Sequence, residues 1–248
     1  MTKPIYAIGD IHGQHAELIR VLSLIEADGG PDAEIVFIGD YTDRGPNSAG
    51  VLDVLIQGLA AGKPWRCLKG NHDRMFSWFM RDYPHHDAYL PVYIYWLHSR
   101  LGGDTTMASY GVEMKETDRQ TAVHALAKAA VPQAHVDFLN SLAHSYETDD
   151  LFFAHAGIRP GVPLGEQDEE DLLWIRKEFH VDTRDHGKLI VHGHTPIEAA
   201  THYGNRVNVD AGAGYGKPLA AVIFEGRECW SITDQGRVPL VPSDVNAN

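Results

Sequence analysis

Five short apolar runs in this chain each stop at a loop that mixes glycine with aspartate, asparagine or histidine, and that repetition limits what the chain can fold into. Ile5–Ile8 runs into Gly9-Asp10-Ile11-His12-Gly13, and Ile35–Ile38 into Gly39-Asp40-Tyr41-Thr42-Asp43-Arg44-Gly45. Trp65–Leu68 precedes Gly70-Asn71-His72-Asp73, Leu151–Ala154 precedes His155-Ala156-Gly157, and Leu189–Val191 precedes His192-Gly193-His194-Thr195-Pro196. Short apolar runs bounded by turn residues read as buried strands. Ligands of open α/β sheets bind outside the carboxyl ends of the strands. Five such ends on one edge predict one convergent polar site.

Helical patterns separate the first strands. Residues 14–27 set Leu18, Val21, Leu22 and Ile25 on one face, and residues 47–60 do the same with Val51, Leu52, Leu55, Ile56 and Leu59. Gly29-Gly30-Pro31 and Gly62-Lys63-Pro64 stop these helices. The opening third is therefore β-α-β-α-β with parallel strands. The C-terminal third is richer in strands, at Val207–Val209, Leu219–Phe224 and Cys229–Ile232. Residues of about 75–145 form a helical insertion within a single domain of residues 1–248, with helices over 117–130 and 133–146 and no polar linker around it. Its aromatics, Trp78, Phe79, Tyr83, Tyr89, Tyr93, Tyr95 and Trp96, are expected to pack a small core of their own or to line a pocket for a leaving group. The tail Pro242–Asn248 is expected to be loose.

Composition narrows the chemistry. The 248 residues include 34 acidic and 21 basic side chains, a formal charge of −13, which argues against a nucleic-acid partner that needs clustered Lys and Arg. No apolar run approaches the roughly 18 residues of a membrane helix, and Met1–Tyr6 carries no signal-peptide stretch. With only Cys67 and Cys229 there is no disulfide framework. These features predict a cytoplasmic protein with no membrane partner. The 15 histidines stand out, because histidine is the commonest metal ligand and a general acid–base.

The loop residues suit metal ligation. Asp10 and His12 lie two apart and can point to one side of an extended segment; Asp40, Asn71, His155 and His194 complete six candidate ligands of mixed nitrogen and oxygen. Such a set fits Mn²⁺ first, with Fe or Zn²⁺ as alternatives. If Asp40 bridges, the set divides into Asp10, His12, Asp40 and Asp40, Asn71, His155, His194. Two divalent ions, two carboxylates and a bridging hydroxide leave a core near +1, to which Arg44 and Arg176 add positive charge for a phosphate dianion. Dinuclear sites of this kind clamp an in-line displacement at phosphorus, and Arg contacts two phosphate oxygens at once. His72 is the candidate acid for the leaving group, oriented by Asp43. Asp and Asn beside Gly also favour plain turns, and the five-fold repetition of the pattern weighs against that reading. The run Glu166–Asp171 is read as a solvated loop leading to a helix. His192 is left out of the ligand set, and His85, His86, His98, His124, His135, His144, His180, His186 and His202 are read as surface or unpartnered histidines.

Taken together, Gly9–Gly13, Gly39–Gly45, Gly70–Asp73, His155–Gly157 and Gly193–Pro196 resemble the calcineurin-like metallophosphoesterases, in particular the phosphoprotein phosphatase group and its bacterial and phage members. The resemblance runs in the family's order over residues 9–196. It implies a two-sheet sandwich flanked by helices with two metals at one edge, the ligand and acid roles above, and phosphate contact by Arg44. Trp174-Ile175-Arg176 is similar to the segment carrying the second phosphate-binding arginine in phage-like members. The sequence departs at Asp73, where eukaryotic enzymes have Glu, in the bacterial form Gly193-His194-Thr195-Pro196, and in the short segment Asn208–Gly212 in place of a long loop. The expectation is a dinuclear phosphatase of phosphate monoesters, phosphoserine and phosphothreonine in proteins first. The alternative is a nucleotide hydrolase resembling the symmetrical diadenosine tetraphosphatases, whose second motif has Ala where this chain has Asp43. A non-catalytic scaffold would have lost a ligand, the acid or an arginine, and none is missing.

Overall fold

The computed structural model describes residues 3–115 and 117–243, so Asp244–Asn248 of the expected loose tail lie outside the described residues. Strands β1 (Ile5–Ile8), β2 (Glu34–Phe37) and β3 (Trp65–Cys67) pair in parallel, joined by helices α1 (His15–Gly29) and α2 (Ser48–Ala60). Helix α1 buries Leu18, Val21 and Ile25 and ends where Gly30, at φ 80°, turns its N–H back to the Glu26 carbonyl. At the start of α2 the Asn47 side chain accepts the Gly50 N–H at 2.9 Å. Three antiparallel strands, β9 (Ala221–Glu225), β10 (Glu228–Thr233) and β11 (Gly236–Pro239), extend this sheet in the order β11-β10-β9-β1-β2-β3.

The second sheet has the order β4-β5-β6-β8-β7, with β4 (Ser145–Glu147), β5 (Leu151–Ala154), β6 (Leu189–His192), β7 (Thr201–His202) and β8 (Arg206–Asn208). Strands β5, β6 and β8 are parallel. Side chains alternate across both sheets as the two-residue strand period requires. Ala7, Val36, Val222 and Phe224 meet Phe153, Val191 and Val207 in the core between the sheets. Tyr6, Ile8, Ile35, Phe37 and Ile223 face the helices on the other side of the first sheet. Phe152, Ala154 and Ile190 turn outward to Leu172 and Phe179. This is a two-sheet sandwich flanked by helices. Among the described residues no helix is long and apolar enough to cross a membrane.

The middle segment differs from its expectation. Helix α3 (Asn71–Phe79) starts at once after β3, then an irregular stretch leads to α4 (Gly103–Ser109), α5 (Gln120–Ala130) and α6 (Gln133–Ser141). Its aromatics do not form a core of their own: Phe76, Phe79 and Trp96 share one buried cluster with Ile8, Phe37 and Leu52, and Phe76 stacks on Trp96 at 4.8 Å. Tyr83, Tyr89 and Tyr93 are exposed. The expected helix over 133–146 stops at Ser141, because Ser145–Glu147 pairs with β5 as a strand, a non-local choice that local periodicity cannot register. The acidic run leads into a helix as expected, but its charges are not all solvated. Helix α7 (Glu169–Trp174) begins in it, Glu170 accepts Arg74 at 2.7 Å, and Asp171 accepts Arg159 at 2.6 Å. His135, expected at the surface, is buried, with Tyr110 at 2.7 Å from one ring nitrogen and Asp53 at 3.1 Å from the other.

Candidate metal centre

Parallel pairing puts the carboxyl ends of β1, β2 and β3 on one edge, and those of β5, β6 and β8 on one edge of the second sheet. A hydrogen bond joins the two edges: His155, just after β5, donates from Nδ1 to the carbonyl of Ile38, just after β2, at 3.0 Å. His12 likewise donates from Nδ1 to the Thr42 carbonyl at 2.8 Å. A carbonyl only accepts, so in both rings Nε2 keeps its lone pair and points into the site.

Asp40 lies between these two rings. Its Oδ2 is 3.4 Å from His12 Nε2 and its Oδ1 is 3.5 Å from His155 Nε2. On the second side, Asn71 Oδ1 lies 2.9 Å from both His155 Nε2 and His194 Nδ1. The ligand-type atoms of Asp40, His155 and His194 fall within 4.8 Å of one another, and so do those of His12, Asp40 and His72, making Asp40 common to two triads that could each hold an ion. Asp10 is drawn into neither triad. Its carboxylate accepts the His194 backbone N–H at 3.1 and 3.2 Å, and burial together with the neighbouring Asp210 and Asp40 carboxylates pushes its pKa well up. Burial also pushes Asp40 up, but the rings of His155, His72, His12 and His194 outweigh it and hold the carboxyl below the ordinary range. Burial lowers His12, His155 and His194, which favours the neutral, ligating form.

The residues therefore fit a pair of divalent cations. Carboxylates, an amide oxygen and imidazole lone pairs converge without enough protons among them to satisfy one another. The chain also places its own cation there, for Arg44 Nη1 donates to His12 Nε2 and Nη2 to His72 Nε2, the latter at 3.1 Å. Arg176, at the start of α8 (Lys177–His180), is exposed and donates to Thr195 Oγ1 at 3.4 Å, next to His194. The two arginines thus flank the centre from different segments. His72 gives Nδ1 to Asp43 Oδ2 at 2.6 Å, with the Asp43 side chain fully buried.

Backbone strain is confined to this edge. Among the described residues the non-glycine positions with positive φ are His12 (46°), Asp40 (53°), Asp43 (74°), Arg44 (65°) and His194 (67°). Each such conformation costs about 1–3 kcal/mol and persists where the surroundings over-determine it. Close approach adds a further constraint, since a side chain at Gly70 would press on the Asp40 carboxylate and one at Gly193 on that of Asp10.

Sequence reasoning missed four contributors. Asp73 accepts the backbone N–H groups of Asp40 (2.8 Å), Tyr41 (3.0 Å) and Gly70 (2.9 Å), locking the second loop to the third. Its position in the first turn of α3, after a glycine, is the available signal. Asp210 closes the edge after β8, where the strand-end pattern of the other five loops also applies; burial, with Asp40 nearby, pushes its carboxyl up to about 6. Trp96 and Thr106 donate to Asp43 at 2.9 and 2.7 Å, and nothing local marks them.

The chain is 28% identical over 258 aligned positions, spanning 95% of each protein, to the bis(5'-nucleosyl)-tetraphosphatase PrpE [asymmetrical] of Bacillus thuringiensis. Among solved structures it superposes on the cold-active protein-tyrosine phosphatase of a psychrophilic Shewanella with a TM-score of 0.63 at 19% identity, covering 97% of this chain and 81% of that one. A protein serine/threonine phosphatase from Saccharomyces cerevisiae superposes with a TM-score of 0.53 at 16% identity, covering 96% and 76%. These two likenesses are of fold. The profile of the calcineurin-like phosphoesterases matches residues 3–224, and the chain belongs to that family.

Proposed function

We propose that the protein is a dinuclear metal-dependent phosphatase of phosphate monoesters, with phosphoserine and phosphothreonine in proteins as its first substrate class. Asp10, His12 and Asp40 would hold one ion and Asp40, Asn71, His155 and His194 the other, with Mn²⁺ the first choice. Two ions so held supply a water-derived nucleophile at neutral pH and offset charge on phosphoryl oxygens. Arg44 and Arg176 bind and orient the phosphate, and stabilise the charge that develops on its oxygens as the ester bond lengthens. His72, held through Nδ1 by Asp43, would give a proton from Nε2 to the departing oxygen once phosphate takes up the Arg44 guanidinium from which that nitrogen now accepts.

The observation that carries this reading is the 2.6 Å contact between His72 and Asp43, which leaves Nε2 facing the site beside Arg44. A positioned acid matters most for an alkoxide such as that of serine, which leaves poorly without a proton. A second reading, hydrolysis of dinucleoside tetraphosphates, is favoured by the likeness to the Bacillus tetraphosphatase. Tyr89, stacked on Trp174 at 5.4 Å beside His194, offers an aromatic face for a purine ring.

The deciding experiment offers the Mn²⁺-loaded protein a phosphopeptide, diadenosine tetraphosphate and a phosphodiester in parallel, with a chelated control. The phosphopeptide is expected to show the highest kcat/KM, and the control none. A clear preference for the dinucleotide would replace the first reading by the second. Undiminished turnover after thorough chelation, or no turnover of any of the three, would remove both.

A further inference from the structure

We propose that Trp96 and Thr106, both supplied by the segment that follows α3, are positioning residues for the leaving-group acid. This inference rests on the role given above to His72. The Asp43 carboxylate has three side-chain donors. Oδ2 accepts His72 Nδ1–H at 2.6 Å and Trp96 Nε1–H at 2.9 Å, and Oδ1 accepts the Thr106 hydroxyl at 2.7 Å. Thr106 has one proton, and it goes to Oδ1; its oxygen in turn accepts the Asp43 backbone N–H at 2.8 Å. Ser48 Oγ, 3.0 Å away, must then donate to Thr106, and it too accepts the Asp43 N–H, at 3.1 Å. His72, Trp96 and Thr106 each give a proton to the carboxylate, and Thr106 and Ser48 take up the Asp43 peptide N–H, so the two oxygens and the N–H are all fixed. With them is fixed the line along which His72 is held.

The same segment reaches the neighbouring arginine, because the Arg44 N–H donates to the Gly102 carbonyl at 3.3 Å. Asp43 and Arg44 both hold positive φ, so the loop needs outside support to keep this shape. Trp96 is itself held rigidly, stacked on Phe76 at 4.8 Å with an interplanar angle of 11°. The segment that looks like a decoration on the fold therefore closes the side of the acid that the strand-end loops leave open. The side-chain hydrogen bonds of both residues go to Asp43 and Ser48 and not to the metal ligands, so their effect should fall on the proton-dependent part of the reaction.

The test compares Thr106→Val, Thr106→Ser and Trp96→Phe on phenyl phosphate and 2,4-dinitrophenyl phosphate, whose leaving groups do and do not need a proton. Thr106→Val and Trp96→Phe are expected to lower kcat on phenyl phosphate by about tenfold, a fraction of a full general-acid contribution, with KM unchanged. The dinitrophenyl ester should lose no more than about twofold, and Thr106→Ser should restore the parent ratio. Adding Thr106→Val to His72→Asn should cost nothing further, since residues acting as one unit are not additive. A second readout needs no turnover: the hydrogen-bonded Nδ1–H proton resonance of His72, assigned by its loss in His72→Asn, should shift in Thr106→Val and stay in Thr106→Ser. Equal losses on both esters, or additivity with His72→Asn, would overturn the proposal. If His72→Asn itself shows no dependence on the leaving group, the assignment of the acid fails instead.

Discussion

At the scale of single residues, the centre divides into groups with local signatures and groups without them. Asp10, His12, Asp40, Asn71, His155 and His194 each sit within a few residues of a strand end, where a glycine marks the turn, and so were readable as a set. Their expected roles separate by measurement. Asp10→Asn and His194→Ala should lower metal content per chain in elemental analysis, and full occupancy in either would contradict the ligand scheme. His72→Asn should leave metal content intact and cut kcat on phenyl phosphate by about 10²–10⁴-fold, with a much smaller loss on 2,4-dinitrophenyl phosphate; equal losses would deny it the acid role. Trp96 and Thr106 were not readable, because they reach Asp43 across 53 and 63 residues of chain. A hydroxyl and an indole in a mixed stretch carry no mark of the carboxylate they will meet.

At the scale of elements, α3 is the keystone between the loops and the helical layer. It opens with Asn71 and His72 and buries Arg74 completely. Arg74 donates to Asp87 at 2.8 and 3.2 Å and to Glu170 at 2.7 and 3.0 Å, tying α3 to the irregular stretch and to α7. Asp87 is itself buried, so removing the arginine strands a carboxylate away from water. Arg74→Met should therefore destabilise the fold by about 3–5 kcal/mol, measured by urea unfolding. Adding Asp87→Asn should recover part of that loss, and a cost below about 1 kcal/mol for Arg74→Met alone would show that water reaches the site. None of this was legible in the acidic run, whose charges looked like a solvated face. Three of them, Glu169, Glu170 and Asp171, have arginine partners that only the folded chain brings within reach.

At the scale of the whole molecule, the fold carries imidazoles that burial keeps uncharged even away from the ligand loops. Burial, helped by Arg206 and Arg176, lowers His180 to about 4, and burial alone lowers His202. In the unfolded chain such a ring takes a proton near pH 6.5. Between about pH 6.5 and 4 the unfolded state therefore binds protons that the folded state refuses, and stability falls as the pH falls. Thermal unfolding should show Tm decreasing across that window, and His180→Gln should flatten the decrease. An unchanged slope would mean that His180 protonates in the folded protein without cost. At this scale the parallel β1-β2-β3 part of the first sheet was legible, because two helices between apolar runs leave few other topologies. The short strands β4, β7 and β11 were not. Four exposed residues or a two-residue pairing carry no periodic apolar signal, and their partners in the sheets stabilise them.

The sequence by itself determined the family, the order of the first strands and helices, and the residues that cluster where strands end. Each of these depends on spacing and residue type within a short window, where backbone geometry dictates which side chains share a face. The tertiary structure decided which atoms meet. It made Asp40 common to two triads and brought the Asp10 carboxylate onto the His194 backbone N–H. It also merged the aromatic segment into the main core and brought Trp96 and Thr106 to Asp43. Such pairings arise only once sheets and helices bury their apolar faces together, and no local stretch of chain encodes the distance between two parts of it that packing brings into contact.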